Sequence, residues 1–217
     1  MKKVLIAILL LCLLPHASAD YIHWVDFRLS APVLRSALEL DMASQGGEQP
    51  LDWIDILALA AAWRGGTGVT VADTQRAAQA LRGDTPPERL PGMAGRFFSY
   101  YREAYGAALG GLAGHFAIRR TDPQTGEAEW IPAYGLKAFS PIAAGYPWSH
   151  YPDFGAQRSY GYARPHLGND ILGALGTPIC AVEGGTVEAL GWNRYGGWRI
   201  GIRSDDRKRY YYYAHLR

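Results

Sequence analysis

Cysteine is almost missing from this chain: its 217 residues include two, Cys12 and Cys180, and the first lies in an apolar N-terminal run. With that run removed, Cys180 stands alone, so no intramolecular disulfide can staple the fold in any compartment. Set within Ile179-Cys180-Ala181-Val182, it reads as a small core residue. An excess of one charge is missing too. The 22 basic residues face 20 acidic ones, a net charge of +2, and Lys2 and Lys3 belong to the same removable segment. A mature chain so near neutrality disfavours a broad nucleic-acid surface, which needs a clear basic excess. The apolar run from Val4 to Leu14 is short for a membrane span, which needs about 20 residues. What is present excludes disorder. Hydrophobic residues make up 48% and aromatics 12%, enough for one or two packed domains.

Residues 1–19 read as a signal peptide. Lys2 and Lys3 form the charged start, Val4 to Leu14 the apolar stretch, and Ala17-Ser18-Ala19 the small-x-small cleavage pattern. Asp20 is then the first mature residue. The protein is expected to be secreted and to act extracytoplasmically, in the cell envelope, without stable membrane insertion once the signal is cleaved.

Residues 20–114 carry a helical pattern. Ser30 can cap a helix to about Ala43, with Pro32 tolerated in its first turn. Asp52 can cap a second, whose Ile54, Leu57, Ala58, Ala61 and Ala62 recur at helical spacing before Gly65-Gly66 ends it. A third is expected over Asp73 to Leu81. A fourth, over Gly95 to Leu112, places Phe97, Tyr101, Ala104, Ala108 and Leu112 on one face. His23 and His115 stand at the edges of this region with no neighbouring ligands. Residues 115–157 read as a connector with a possible β-hairpin, Phe116 to Arg120 against Glu127 to Ile131 around the turn-rich Asp122-Pro123-Gln124-Thr125-Gly126. His150 reads as an exposed loop residue. From residue 158 to 217 short apolar strands alternate with glycines: Ile179 to Val182, Thr186 to Leu190, Trp198 to Ile202 and Tyr210 to Leu216. The expected class is α+β, an N-terminal all-helical domain followed by an antiparallel β-sheet domain that is incomplete at residue 217.

Chemistry concentrates in that β segment. In His166-Leu167-Gly168-Asn169-Asp170, a neutral imidazole and a carboxylate can converge on one cation from a tight loop, and zinc takes such N and O ligands. On spacing alone His-x-x-x-Asp is a weak sign. It stands, however, inside an ordered series. Arg164-Pro165-His166-Leu167-Gly168-Asn169-Asp170 is followed by Gly176-Thr177-Pro178-Ile179 and Gly184-Gly185-Thr186-Val187, and then by Tyr213-Ala214-His215-Leu216. That series resembles the lysostaphin-like zinc metallopeptidases, which cleave peptide bonds in bacterial peptidoglycan. Trp24-Val25-Asp26-Phe27 and Phe98-Ser99-Tyr100-Tyr101 resemble the accessory region of one exported Gram-positive branch.

The resemblance implies a lysostaphin-like fold with a duplicated hybrid motif over residues 158–217, Zn2+ as cofactor and peptidoglycan peptides as partners. It implies His166 and Asp170 as metal ligands and His215 as the catalytic, non-ligand histidine. It also implies a catalytic tyrosine near Tyr160 or Tyr162, between which the pattern does not choose. On an ideal strand Tyr211, Tyr213 and His215 share one face, which would aim His215 into a cleft. The family closes with H-x-H, whose second histidine is the third ligand, and no H-x-H occurs in these 217 residues. Catalytic zinc sites normally use three protein ligands, so this stretch by itself is expected to be an inactive part of a zinc endopeptidase. A non-catalytic wall-binding or amidase-activating protein on the same fold is the alternative, and the two intact ligands argue against it. A biotinyl or lipoyl carrier is excluded more firmly, since no lysine lies between Lys137 and Lys208 to serve as the acceptor.

Overall fold

The computed structural model describes residues 28–159, 163–166, 168 and 170–217. The expected signal peptide, His23, Trp24-Val25-Asp26-Phe27, Tyr160 and Tyr162 lie outside them. Four α-helices come first: α1 Ala31–Ser44, α2 Trp53–Arg64, α3 Val71–Leu81 and α4 Met93–Leu109. Asp52 caps α2 by accepting from the Ile54 N–H at 2.7 Å. Gly65 ends it at φ 64, a left-handed position that suits glycine. α3 begins earlier than the Asp73 expected, because Thr70 and Asp73 form a reciprocal capping box that makes Asp73 the third helical residue.

The helices wrap around α2, in which every residue from Ile56 to Ala62 is buried. A helix that is apolar all round belongs at the centre of a bundle. α4 lies on it through Ala94, Phe98, Tyr101 and Tyr105. Of the expected face, Tyr101 is buried and Phe97 and Leu112 are partly buried against the same core, whereas Ala108 is exposed. Both stripes have helical spacing and share Tyr101. Packing against α2 chooses between them, with Tyr105 filling a place that the small Ala104 and Ala108 would leave open.

A long hairpin follows, β1 Ala113–Thr121 against β2 Ala128–Leu136. Its end is closed by the Asp122 N–H to Glu127 O (2.8 Å) and the Gly126 N–H to Asp122 O (2.9 Å). Tyr134 of β2 donates its hydroxyl to Oδ1 of Asp41 on α1 at 2.8 Å, docking the hairpin on the helices. Asp41 is buried, and it also accepts from the Trp53 N–H and from Gln45, so its buried oxygens are hydrogen-bonded rather than left unpaired.

The rest is a group of small antiparallel sheets. β3 Trp148–Tyr151 pairs with β6 Asp170–Gly173, and β4 Gln157–Ser159 with β5 Ala163–Pro165. β7 Gly185–Asn193, β8 Gly197–Ser204 and β9 Tyr210–Leu216 form a three-stranded meander. The expected strand Ile179 to Val182 is not a ladder. Ile179 makes one bridge to Ile142, and the Cys180 N–H bonds Pro141 O at 2.9 Å. Cys180 is half-buried, not the core residue expected. His150 is exposed, but on β3 rather than in a loop. The fold is thus α+β, a helical bundle followed by small antiparallel sheets. Among the described residues no helix is long and apolar enough to cross a membrane.

Candidate metal centre

Three short chain segments meet at one polar cluster. After β3, the Ala156 N–H bonds back to Asp153 O at 3.0 Å. Gly155, the third residue of that turn, has φ +81, as a type II turn requires. The turn then reaches across to the chain leaving β5. The Gly155 N–H bonds His166 O at 2.6 Å, and the His166 N–H bonds Ala156 O at 2.8 Å. Pairing of Tyr151 with Asp170 brings the start of β6 to the same place. Asp153, His166 and Asp170 are therefore neighbours because of backbone bonds, and each offers a ligand atom within 4.8 Å of the others.

Asp153 is the anchor, its side chain only 5% exposed. Its Oδ1 accepts the Asp170 backbone N–H at 3.2 Å. Its Oδ2 lies 2.9 Å from His166 Nδ1 and also accepts from Arg158 Nη2. The same Arg158 nitrogen donates to Asp170 Oδ2 at 2.6 Å. His166 Nε2 and Asp170 Oδ1 face each other at 3.8 Å. Burial alone would raise the Asp153 carboxyl. The Asp170 N–H, the Arg158 guanidinium and His166 outweigh burial and hold it down at about 2. Hydrogen bonds to Asp170 and Asp153 in turn push Arg158 above its ordinary value.

His215 is placed otherwise. It is exposed on β9, and its N–H bonds Gly196 O at 2.6 Å, at the β7–β8 hairpin. Among the described residues it shares no hydrogen bond with the Asp153 cluster. The register of β8 and β9 slips between Trp198 and Ile200: Trp198 faces Leu216, but Ile200 faces Tyr213. An extra residue therefore sits on β9, and His215 takes it up at φ 56. Such a bulge breaks the alternation expected for Tyr211, Tyr213 and His215 and re-aims the imidazole. Tyr211 and Tyr213, ahead of the bulge, keep a common side. Tyr211 donates to Glu183 Oε1 at 2.8 Å, and Tyr213 accepts the Val182 N–H at 2.8 Å. Burial first, and then the bond to Glu183, push the Tyr211 phenol up to about 12.

Of the residues read from sequence, the structure brings His166 and Asp170 together and leaves His215 on another sheet. Asp153 and Arg158 went unread as site residues. Asp153 lies 13 positions before His166, in a proline-rich stretch with no motif of its own. The one available sign was the acid-x-Gly of Asp153-Phe154-Gly155, a turn pattern just ahead of β4.

The donor set suits zinc, which binds imidazole nitrogen at about 2.0–2.1 Å and carboxylate oxygen at about 2.0–2.2 Å. Two such bonds can span at most about 4.3 Å, so the observed 3.8 Å between Nε2 and Oδ1 lies within reach of one ion.

No family model matches the chain. No solved structure matches it either. It is similar to the L-Ala--D-Glu endopeptidase of Bacillus subtilis (strain 168), with 44% identity over 82 residues. Those residues are 38% of this chain and 24% of that protein. The matched part of the chain thus spans about a quarter of the relative's length, and the kinship it marks is to a peptide-bond hydrolase.

Proposed function

We propose that this protein is a secreted zinc endopeptidase that hydrolyses peptide bonds in bacterial peptidoglycan, on a lysostaphin-like β domain that follows an accessory helical domain. The observation that carries the reading is the 3.8 Å pair of His166 Nε2 and Asp170 Oδ1, standing within the R-x-H-x-G-x-D series. The similarity to an L-Ala--D-Glu endopeptidase supports it and makes that linkage the first one to assay.

His166 and Asp170 would hold the ion. Bound there, zinc would lower the pKa of a water to about 7 and polarise the scissile carbonyl. His215 would be the proton-handling side chain. A histidine, with an unperturbed pKa of about 6.5, can accept and return a proton near neutrality. Its left-handed backbone costs roughly 1–2 kcal/mol in a non-glycine residue, and strain of that kind gathers where a side chain must be aimed. The partly buried Tyr211 and Tyr213 fix the segment around Val182 and Glu183 against β9, which holds that strand while His215 stays exposed.

The test is digestion of purified peptidoglycan by the full-length gene product, with released peptides identified by mass spectrometry. Activity is expected to disappear with a chelator and to return with zinc. His166→Ala and Asp170→Ala are expected to abolish it, and His215→Ala to lower the rate by about 10²–10⁴-fold. Undiminished digestion by His166→Ala would end the reading.

A further inference from the structure

We infer that Asp153 and Arg158 are positioning residues of the proposed metal site. Asp153 fixes the His166 ring through Nδ1 and Arg158 takes one oxygen of Asp170, so that Nε2 of His166 and Oδ1 of Asp170 are the atoms turned to the ion. The inference rests on the zinc reading and adds what holds its ligands in place.

The argument is one of hydrogen-bond capacity. A neutral imidazole has one N–H and one lone pair, and an ionised carboxylate can only accept. With Asp153 Oδ2 at 2.9 Å from Nδ1, the hydrogen belongs on Nδ1 and the lone pair on Nε2. Arg158 also lies near Nδ1, at 3.3 Å. Nδ1 cannot accept from a guanidinium while donating to a carboxylate, and the shorter contact, to the anionic Asp153 carboxylate, prevails. Nε2 is then the free donor atom, and it faces Asp170 Oδ1.

The carboxylates divide their oxygens in a matching way. Asp153 spends Oδ1 on the Asp170 N–H and Oδ2 on His166 and Arg158. A direct ligand role for Asp153 would break those bonds within a site where its side chain is 5% exposed. Asp170 is 40% exposed and gives Oδ2 to Arg158, which leaves Oδ1 to the ion. A carboxylate behind a ligating histidine fixes the ring's tautomer and orientation and raises its basicity. The guanidinium ties the orienting carboxylate to the ligating one, so the two ligand side chains share one brace.

The experiment is a long-range 1H–15N correlation of the histidine rings in the full-length protein, recorded with and without zinc. The expected result is hydrogen on Nδ1 of His166 in the metal-free protein and zinc on Nε2 after loading. Asp153→Asn is expected to weaken zinc about 10–100-fold in competition with a chromophoric chelator, and Arg158→Gln by less. Circular dichroism should stay unchanged. Zinc on Nδ1, hydrogen on Nε2, or zinc affinity of Asp153→Asn within twofold of the parent would overturn the inference. If the parent takes up no zinc, the zinc reading fails and the metal-positioning role with it. The metal-free tautomer then still decides whether Asp153 orients His166.

Discussion

The two halves of this molecule hold together in different ways. Among the described residues, every fully buried apolar side chain lies between Val33 and Tyr105, Ile142 excepted. Beyond the bundle, large apolar side chains face outward: Trp130 on β2, Trp192 and Leu190 on β7, and Trp198 on β8. In their place, the β region gathers charge. Asp153, Arg158, His166 and Asp170 form one network. Glu183, Arg209, Asp206 and Tyr211 form another, in which Arg209 also donates to Gly110 O just past α4. The bundle is therefore stabilised by packing that tolerates little change. The sheets are pinned by directional bonds, and such bonds can hold ligand atoms in a fixed geometry. A cation taken up between His166 and Asp170 would add cohesion where apolar burial is thin, since metal affinity is also folding free energy.

The sharpest way to break this contrast is to cut into the bundle. Ile56 on α2 is fully buried. Ile56→Ala removes three carbons there, and is expected to cost about 2–5 kcal/mol in urea unfolding followed by far-ultraviolet circular dichroism. A cost under about 1 kcal/mol would mean that the bundle relaxes around the gap, and that the contrast in packing is weaker than the burial implies.

That contrast was only partly legible in the sequence. The caps at Asp52 and Gly65 and the turn at Asp122 to Gly126 were readable, because each depends on a few adjacent residues. The face of α4 was not, since two stripes of similar spacing compete and only the partner helix chooses. His166 and Asp170 could be paired by motif. Asp153 could not, because its approach to His166 is created by the Gly155 turn and by backbone pairing with the chain after β5. The His215 bulge is hidden for a related reason. A bulge is a mismatch between two strands, so the spacing within β9 alone cannot show it.

Acid should separate the two halves by a smaller margin. Asp153 is held at about 2, below its ordinary 3.8. Its contribution to stability is thus fully present above about pH 4 and lost as the pH falls through about 2. In the bundle two aspartates pull in opposite directions. Burial of Asp73 is outweighed by bonds from Arg64 and Thr70, which lower it, whereas burial raises Asp52. Hydrogen exchange at stepwise lower pH is expected to lose protection first around β3 and β6, with α2 retained. Simultaneous loss in both halves would show that the bundle and the sheets unfold as one cooperative unit.

The smallest expected effect tests the exposed sheet face directly. Leu190 on β7 pairs with Ile200 across the sheet and is 76% exposed. A side chain so open to water gives up little apolar contact when it is replaced by a polar one. Leu190→Ser is therefore expected to change unfolding free energy by no more than about 0.5 kcal/mol, as for surface substitutions generally. Serine also removes an exposed apolar group beside Trp192, so solubility should hold or improve. A loss well above that bound would mean that this face of β7 is covered in solution. The β region would then have an apolar core of its own, and its difference from the bundle would be one of degree rather than of kind.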